Sequence, residues 1–150
     1  MTTKLQLIGM ARVAAEAHGL DPALFQALCH HESVNWNQWA CRYEAEFYQR
    51  YVAAQKLSAT EKHMRATSFG LCQIMGQVAR EFGFAGDYLT ELLDPVTNLE
   101  YGCRKLASCM DRANADVRQA LLFYNGSGNP DYPNLVLRHY STYSDTGKTL

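Results

Sequence analysis

The chain has 150 residues, 47% hydrophobic and 19% charged, with a formal net charge of −1. That length suits one domain over 1–150 with a proper core. The charge balance argues against a basic surface built for nucleic acid, and no apolar run approaches the ~20 residues of a membrane helix.

Along the chain, Leu5, Ile8, Ala11, Ala15 and His18 share one side of a predicted first helix, with Gly19 as its stop. Asp21-Pro22 reads as an N-cap followed by a first-turn proline, opening a helix to about Ser33. Aromatic residues crowd the next stretch, and Tyr43, Phe47 and Tyr51 at i, i+4, i+8 suggest a helix over about 40–56. Residues 58–65 are polar, as in a surface turn or short helix. Leu71, Ile74, Met75, Val78 and Phe82 fit a helix, whereas Phe69, Leu71, Gln73 and Met75 alternate as in a strand.

A second Asp-Pro pair, Asp94-Pro95, starts a helix over about 95–111, with Val96, Leu99, Cys103, Leu106 and Met110 on its apolar face. Val117, Ala120, Leu121 and Tyr124 form another. The run from Asn125 to Pro130 breaks the chain, and a last helix is expected over about 133–143. The whole reads as mostly α. Five cysteines at 29, 41, 72, 103 and 109 match no zinc spacing and are expected as reduced thiols.

One residue stands out chemically. The helix opening at Asp21 carries an apolar stripe of Leu24, Phe25, Leu28 and Cys29, and Glu32 follows on that stripe near the helix end. Lost hydration and the negative end of the helix dipole both disfavour its charged form, as a proton donor requires. Spacing alone favours a plainer role, an arginine partner or a cap. His30, His31 and Glu32 together invite a metal site, but adjacent histidines point to different sides of a helix and no HExxH is present.

Three segments taken together are more specific: His31-Glu32-Ser33, then Ser68-Phe69-Gly70-Leu71-Cys72-Gln73-Ile74-Met75, then Leu121 to Gly128 around Tyr124-Asn125-Gly126. In this order they resemble the soluble lytic transglycosylases of the lysozyme-like class, whose pattern is Glu-Ser, Ser/Gly-x-Gly-Leu-Met-Gln-x-Met and Ala-Tyr-Asn-x-Gly. The stretch Asp94-Pro95, Asn98-Leu99 and Gly102 resembles the helix before the family's Tyr-Asn motif, so the likeness covers roughly 20–143.

The resemblance implies a mostly α, goose-lysozyme-type domain with a small extended or β-like element beside a cleft. On that ground an extended piece to Met75 is preferred, with a helix from Gly76. It implies cleavage of the β-1,4 bond between N-acetylmuramic acid and N-acetylglucosamine with a 1,6-anhydro product, Glu32 acting as acid and then base. Ser68, Gln73, Met75, Tyr124 and Asn125 are implied as substrate-binding residues, Tyr124 with its hydroxyl near Glu32; their plainer roles are a solvent-facing Gln73, a core Met75 and a core Tyr124 with a satisfied hydroxyl. Glu44 is a candidate second acidic residue, with a surface ion pair as its plainer role. The implied partner is peptidoglycan glycan strands, with no metal or cofactor, no nucleic acid, no membrane insertion and a monomeric state.

Cys72 replaces the usual methionine, Asn37-Gln38 stands near the family's Asn-Pro, and residues 36–67 form a long aromatic insertion. The late Tyr-Val segment is poorly kept, Tyr132 being its nearest match. The N-terminus has no long apolar core of a secretory signal. Cytoplasmic synthesis and later release to the wall, as for a phage endolysin, are therefore expected. A muramidase using Glu44, Glu46 or Asp87 to deliver water, and a non-catalytic wall-binding protein, are the competing readings.

Overall fold

The computed structural model describes residues 1–147 and 150. Nine α-helices and one small antiparallel sheet make up the described residues. Helix α1 (Lys4–Ala17) starts at a reciprocal cap between Thr3 and Gln6 and buries Leu7, Ala11 and Ala15. Ala11 and Ala15 belong to the expected stripe and Ile8 packs partly against the core, whereas Leu7 is buried in place of Leu5, which faces solvent. Gly19, at φ +66°, turns the chain out of the helix, a left-handed conformation that costs glycine little.

Helix α2 (Pro22–Glu32) is the central element. Asp21 caps it through a 2.9 Å bond from the Ala23 amide, and Pro22 occupies the first turn. Every residue from Ala23 to Cys29 is buried, because α1, α8 (Tyr132–Leu137) and α9 (Tyr140–Tyr143) pack around it. The Tyr140 hydroxyl donates to the second oxygen of the Asp21 cap at 2.6 Å, tying the C-terminal helices to the start of α2.

The expected helix over 40–56 is only partly present. Residues Cys41–Tyr43 form strand β1, and helical backbone runs only from α3 (Ala45–Phe47) through a π-helical turn at Tyr48–Val52. The backbone of 41–43 finds partners in β2 (Thr67–Phe69), which outweighs the helical spacing of its side chains. Phe47 and Tyr51 still meet at 4.9 Å, whereas Tyr43 stacks on His63. The polar stretch forms a short helix, α4 (Ala59–Arg65), capped by Ser58.

The ambiguous segment resolves as extended backbone followed by a helix: β2, a turn over 70–73, β3 (Ile74–Met75) and α5 (Gly76–Glu81). The sheet order is β1-β2-β3, with Ser68 opposite both Arg42 and Met75. A 3₁₀ turn at Leu89–Leu93 leads into α6 (Pro95–Arg112), which buries Asn98, Leu99, Gly102, Cys103 and Leu106, whereas Val96 is exposed. Helix α7 (Val117–Tyr124) packs on α6. The expected last helix is divided at Arg138-His139 into α8 and α9, and the break carries His139 onto His30 with ring centroids 3.9 Å apart. All five cysteines are free thiols, and no helix among the described residues is long and apolar enough to cross a membrane.

Candidate active site

Glu32 is the last residue of α2, half-buried where α2 meets α8 and the sheet. The turn that follows is held tightly. Ser33 is fully buried; its hydroxyl donates to the Cys29 carbonyl at 2.6 Å and accepts the Trp36 amide at 2.8 Å. Val34, Asn35 and Trp36 all adopt positive φ, at 49°, 68° and 72°. Three consecutive non-glycine residues in the left-handed region are costly and persist only where the surroundings over-determine them. Here the serine of the Glu-Ser pair, the Trp36 indole bonded to Tyr143, and Lys4 on Asn35 do so.

The Tyr132 hydroxyl donates to Glu32 Oε1. Burial raises the Glu32 pKa above the ordinary carboxyl value, and this outweighs the lowering by the Tyr132 bond and by the charges of Lys105 and Arg42. Among the described residues no Lys, Arg or His nitrogen makes an ionic contact with Glu32, so its carboxyl is not locked in the charged form. Tyr132 is itself 3% exposed, and its phenol is pushed well above its usual value by burial first and by Glu32 second. It therefore acts as a fixed donor and not as an acid.

The second motif forms the adjoining floor. Asn98, wholly buried on α6, pins it: its side chain accepts from the Cys72 amide at 2.8 Å and donates to the Phe69 carbonyl at 2.8 Å and the Leu92 carbonyl at 2.7 Å. One turn later, Gly102 lets the Cys72 thiol lie directly on the α6 backbone; a Cβ there would overlap Cys72. Cys72 and Cys29 place their sulfurs 3.6 Å apart, joining the floor to α2.

The implied binding residues fall into different settings. Ser68 is buried, with its hydroxyl 3.9 Å from the sulfur of Met75, its cross-strand partner; Met75 is half-buried. Arg42, Ser68 and Met75 thus form a row on one face of the sheet. Gln73, at φ 46°, donates its amide nitrogen to the carbonyls of Ala40 and Gly70, bracing the hairpin against β1. Tyr124 is 4% exposed and donates its hydroxyl to the Cys72 carbonyl at 2.9 Å, which ties the ring to the floor. Asn125 is exposed at the C-terminal cap of α7. Glu44 pairs with Arg42.

Two residues of the site were not among the expected binding residues, Tyr132 being marked only as the nearest match to the family's late Tyr-Val segment. Tyr132 lies 100 residues from Glu32, and only the packing of α8 on α2 unites them. Lys105 shares a stripe with Asn98 and Gly102 at i, i+4, i+7 of α6. A lysine on that otherwise buried stripe was the available clue.

A large concavity lies elsewhere. It is an apolar groove of about 930 Å³ between α1, residues 83–86 and the start of α6. Its one carboxylate, Glu100, has its pKa lowered first by His18 and then by Arg104, so it holds no proton to donate. Among the described residues no three His, Cys, Asp or Glu side chains gather as a metal site.

A helical domain around a central helix, with a small sheet flanking a desolvated carboxyl at the helix end, defines a lysozyme-like protein. The Transglycosylase SLT domain model matches residues 9–132, and the chain belongs to that family of peptidoglycan-acting lytic transglycosylases. No curated protein and no solved structure matched the chain.

Proposed function

We propose that the chain cleaves the β-1,4 bond between N-acetylmuramic acid and N-acetylglucosamine by a single-carboxyl mechanism centred on Glu32. The observation that carries this reading is the Glu32 carboxyl itself: desolvated, held by Tyr132, and without an ionic partner among the described residues. Burial favours the protonated form of such a carboxyl, and its proton goes to the glycosidic oxygen as the bond breaks. The substrate's own acetamido group stabilises the positive centre at C1, so no protein nucleophile is needed. The Glu32 carboxylate then takes the proton of the muramic acid C6 hydroxyl as that oxygen closes on C1. The product ends in a 1,6-anhydro ring, Glu32 regains its proton, and no water is consumed.

Tyr132 orients the carboxyl by donating to Oε1, so the proton sits on the other oxygen. The row Arg42, Ser68 and Met75 is read as the wall along which the sugars lie, with Gln73 bracing it, and Asn125, exposed at the end of α7, as a further sugar contact. Tyr124 contributes by holding the Cys72 carbonyl. A hydrolytic muramidase would need a second carboxylate to deliver water, from Glu44, which pairs with Arg42, or from Glu46 or Asp87.

The test is Glu32→Gln on purified sacculi. Loss of about 10²–10⁴-fold in glycan cleavage is expected, and undiminished clearing overturns the assignment. Mass spectrometry of the wild-type products separates the two reactions, since anhydro ends are lighter than reducing ends by one water. The same reading makes the chain a wall-lysing enzyme of the phage-endolysin type. Lysis of permeabilised bacteria by the wild type, and not by Glu32→Gln, is the corresponding measurement.

A further inference from the structure

The single-carboxyl mechanism sets a conflicting demand. Glu32 must hold a proton before cleavage, yet its anion must be stable enough afterwards to wait for the C6 hydroxyl. Desolvation serves only the first half. A contact ion pair would serve only the second, because it would keep the carboxyl charged throughout. What suits both is a cation near the carboxyl but held short of contact.

Lys105 is linked to the end of α2 through three contacts: it seats on Tyr124, Tyr124 bonds Cys72, and the Cys72 sulfur meets that of Cys29, one turn before Glu32. Its ammonium sits 3.9 Å from the centroid of the Tyr124 ring, a cation–π seat. The ring is immobilised by its hydroxyl bond to Cys72, and Cys72 lies on the α6 backbone at Gly102, one turn before Lys105. Among the described residues no carboxylate makes an ionic contact with Lys105, so the tyrosine face, and not an anion, fixes where the charge stands.

We propose that Lys105 is a positioning residue for the reaction, a fixed charge on the Tyr124 ring that acts on Glu32 through space and steadies its anion between the two proton transfers. This rests on the reading of Glu32 as acid and base. The electrostatics agree: Lys105 is the leading charged group lowering the Glu32 pKa, and Glu32 is the leading group raising that of Lys105 against the desolvation that depresses it. The other groups around the pair are Tyr132 on α8 and Arg42 on β1, which act on Glu32, and Cys72 and Cys109, which act on Lys105. Arg42 is 72% exposed in its side chain and engaged by Glu44, so its influence is screened.

The experiment compares wild type with Lys105→Met, Lys105→Arg and Arg42→Gln. The Glu32 carboxyl is titrated directly by ¹³C NMR, and kcat/KM on peptidoglycan is followed against pH. Removing the cation raises the pKa of Glu32 further. The carboxyl titration and the alkaline limb of kcat/KM, which reports loss of the acid's proton, both move to higher pH in Lys105→Met. Lys105→Arg restores them, and Arg42→Gln moves them less. A merely structural role lowers Tm and the activity maximum without displacing either curve. Lys105→Gln carries the same comparison should the methionine variant not fold. A Glu32 titration that coincides in wild type and the uncharged variant overturns the inference, even where Glu32→Gln has been found inactive and the acid assignment stands.

Discussion

The floor and the wall of the site are built on opposite physical plans. The floor, residues 69–72 against α6 and α7, is dry and fully bonded: Asn98 holds three backbone groups, Tyr124 holds a fourth, and Cys72 fills the space that Gly102 leaves. The wall, from Asn37 through the π-helical turn ending at Val52, is wet and aromatic, with Trp39, Tyr43 and Tyr51 at 58%, 47% and 56% exposure. Burial makes each floor contact costly to remove, since an orphaned backbone group cannot turn to water. The wall's rings pack mostly on one another and on His63, at the surface and not in the core. The contrast separates residues that set geometry from those open to solvent, which are the ones proposed to meet substrate.

The sharpest way to break the contrast is Asn98→Ala. It strands the Cys72 amide and the Phe69 and Leu92 carbonyls. At ~1–3 kcal/mol per unsatisfied group the loss is at least about 3 kcal/mol, a fall in Tm of roughly 6–12 °C by calorimetry. Gly102→Ala drives a methyl into Cys72 and should cost about 1–3 kcal/mol. Cys72→Ala in the same chain should recover part of that loss, and chemical denaturation of the four variants in the cycle measures the coupling.

The histidines beside the site give a third, pH-dependent effect. His30, His31 and His139 all have lowered pKa values, His139 down to about 4, with desolvation the first cause in each. A folded value below the unfolded 6.5 means the neutral rings favour the fold above about 6.5, and this contribution is lost as pH falls toward about 4. His139→Phe keeps a ring on His30 but cannot charge. It should remain about 1 kcal/mol more stable at the acid end, after allowing for partial exposure, with a gain of roughly 2–4 °C in Tm there and none at pH 8.

The smallest stability effects belong to the wall. Trp39→Ala and Tyr43→Ala should change folding stability by no more than about 0.5 kcal/mol, while raising KM for peptidoglycan with little change in kcat. A fall in kcat as large as that of Glu32→Gln would move these residues from binding surface to chemistry.

Much of the floor was legible. Asp21-Pro22 and Asp94-Pro95 announce α2 and α6 because caps act within one turn, and both helices begin where those pairs stand. The placing of Glu32 on an apolar stripe follows from helical geometry alone. The wall was not legible: Tyr43, Phe47 and Tyr51 have helical spacing, yet Cys41–Tyr43 pairs as a strand with a segment that lies about 25 residues further along the chain. The hydrogen-bond partner of Tyr124, the Cys72 carbonyl, was not legible either, because it lies 52 residues away in the chain.

Within this protein, then, the order of residues alone determined the helical class, the central helix and the carboxyl at its end, since periodicity and capping depend on neighbours a few positions apart. Tertiary structure alone decided which groups face that carboxyl. Tyr132 arrives from 100 residues away, and Lys105 is set by a ring on another helix. Desolvation and through-space charge depend on three-dimensional distance, which no local pattern encodes.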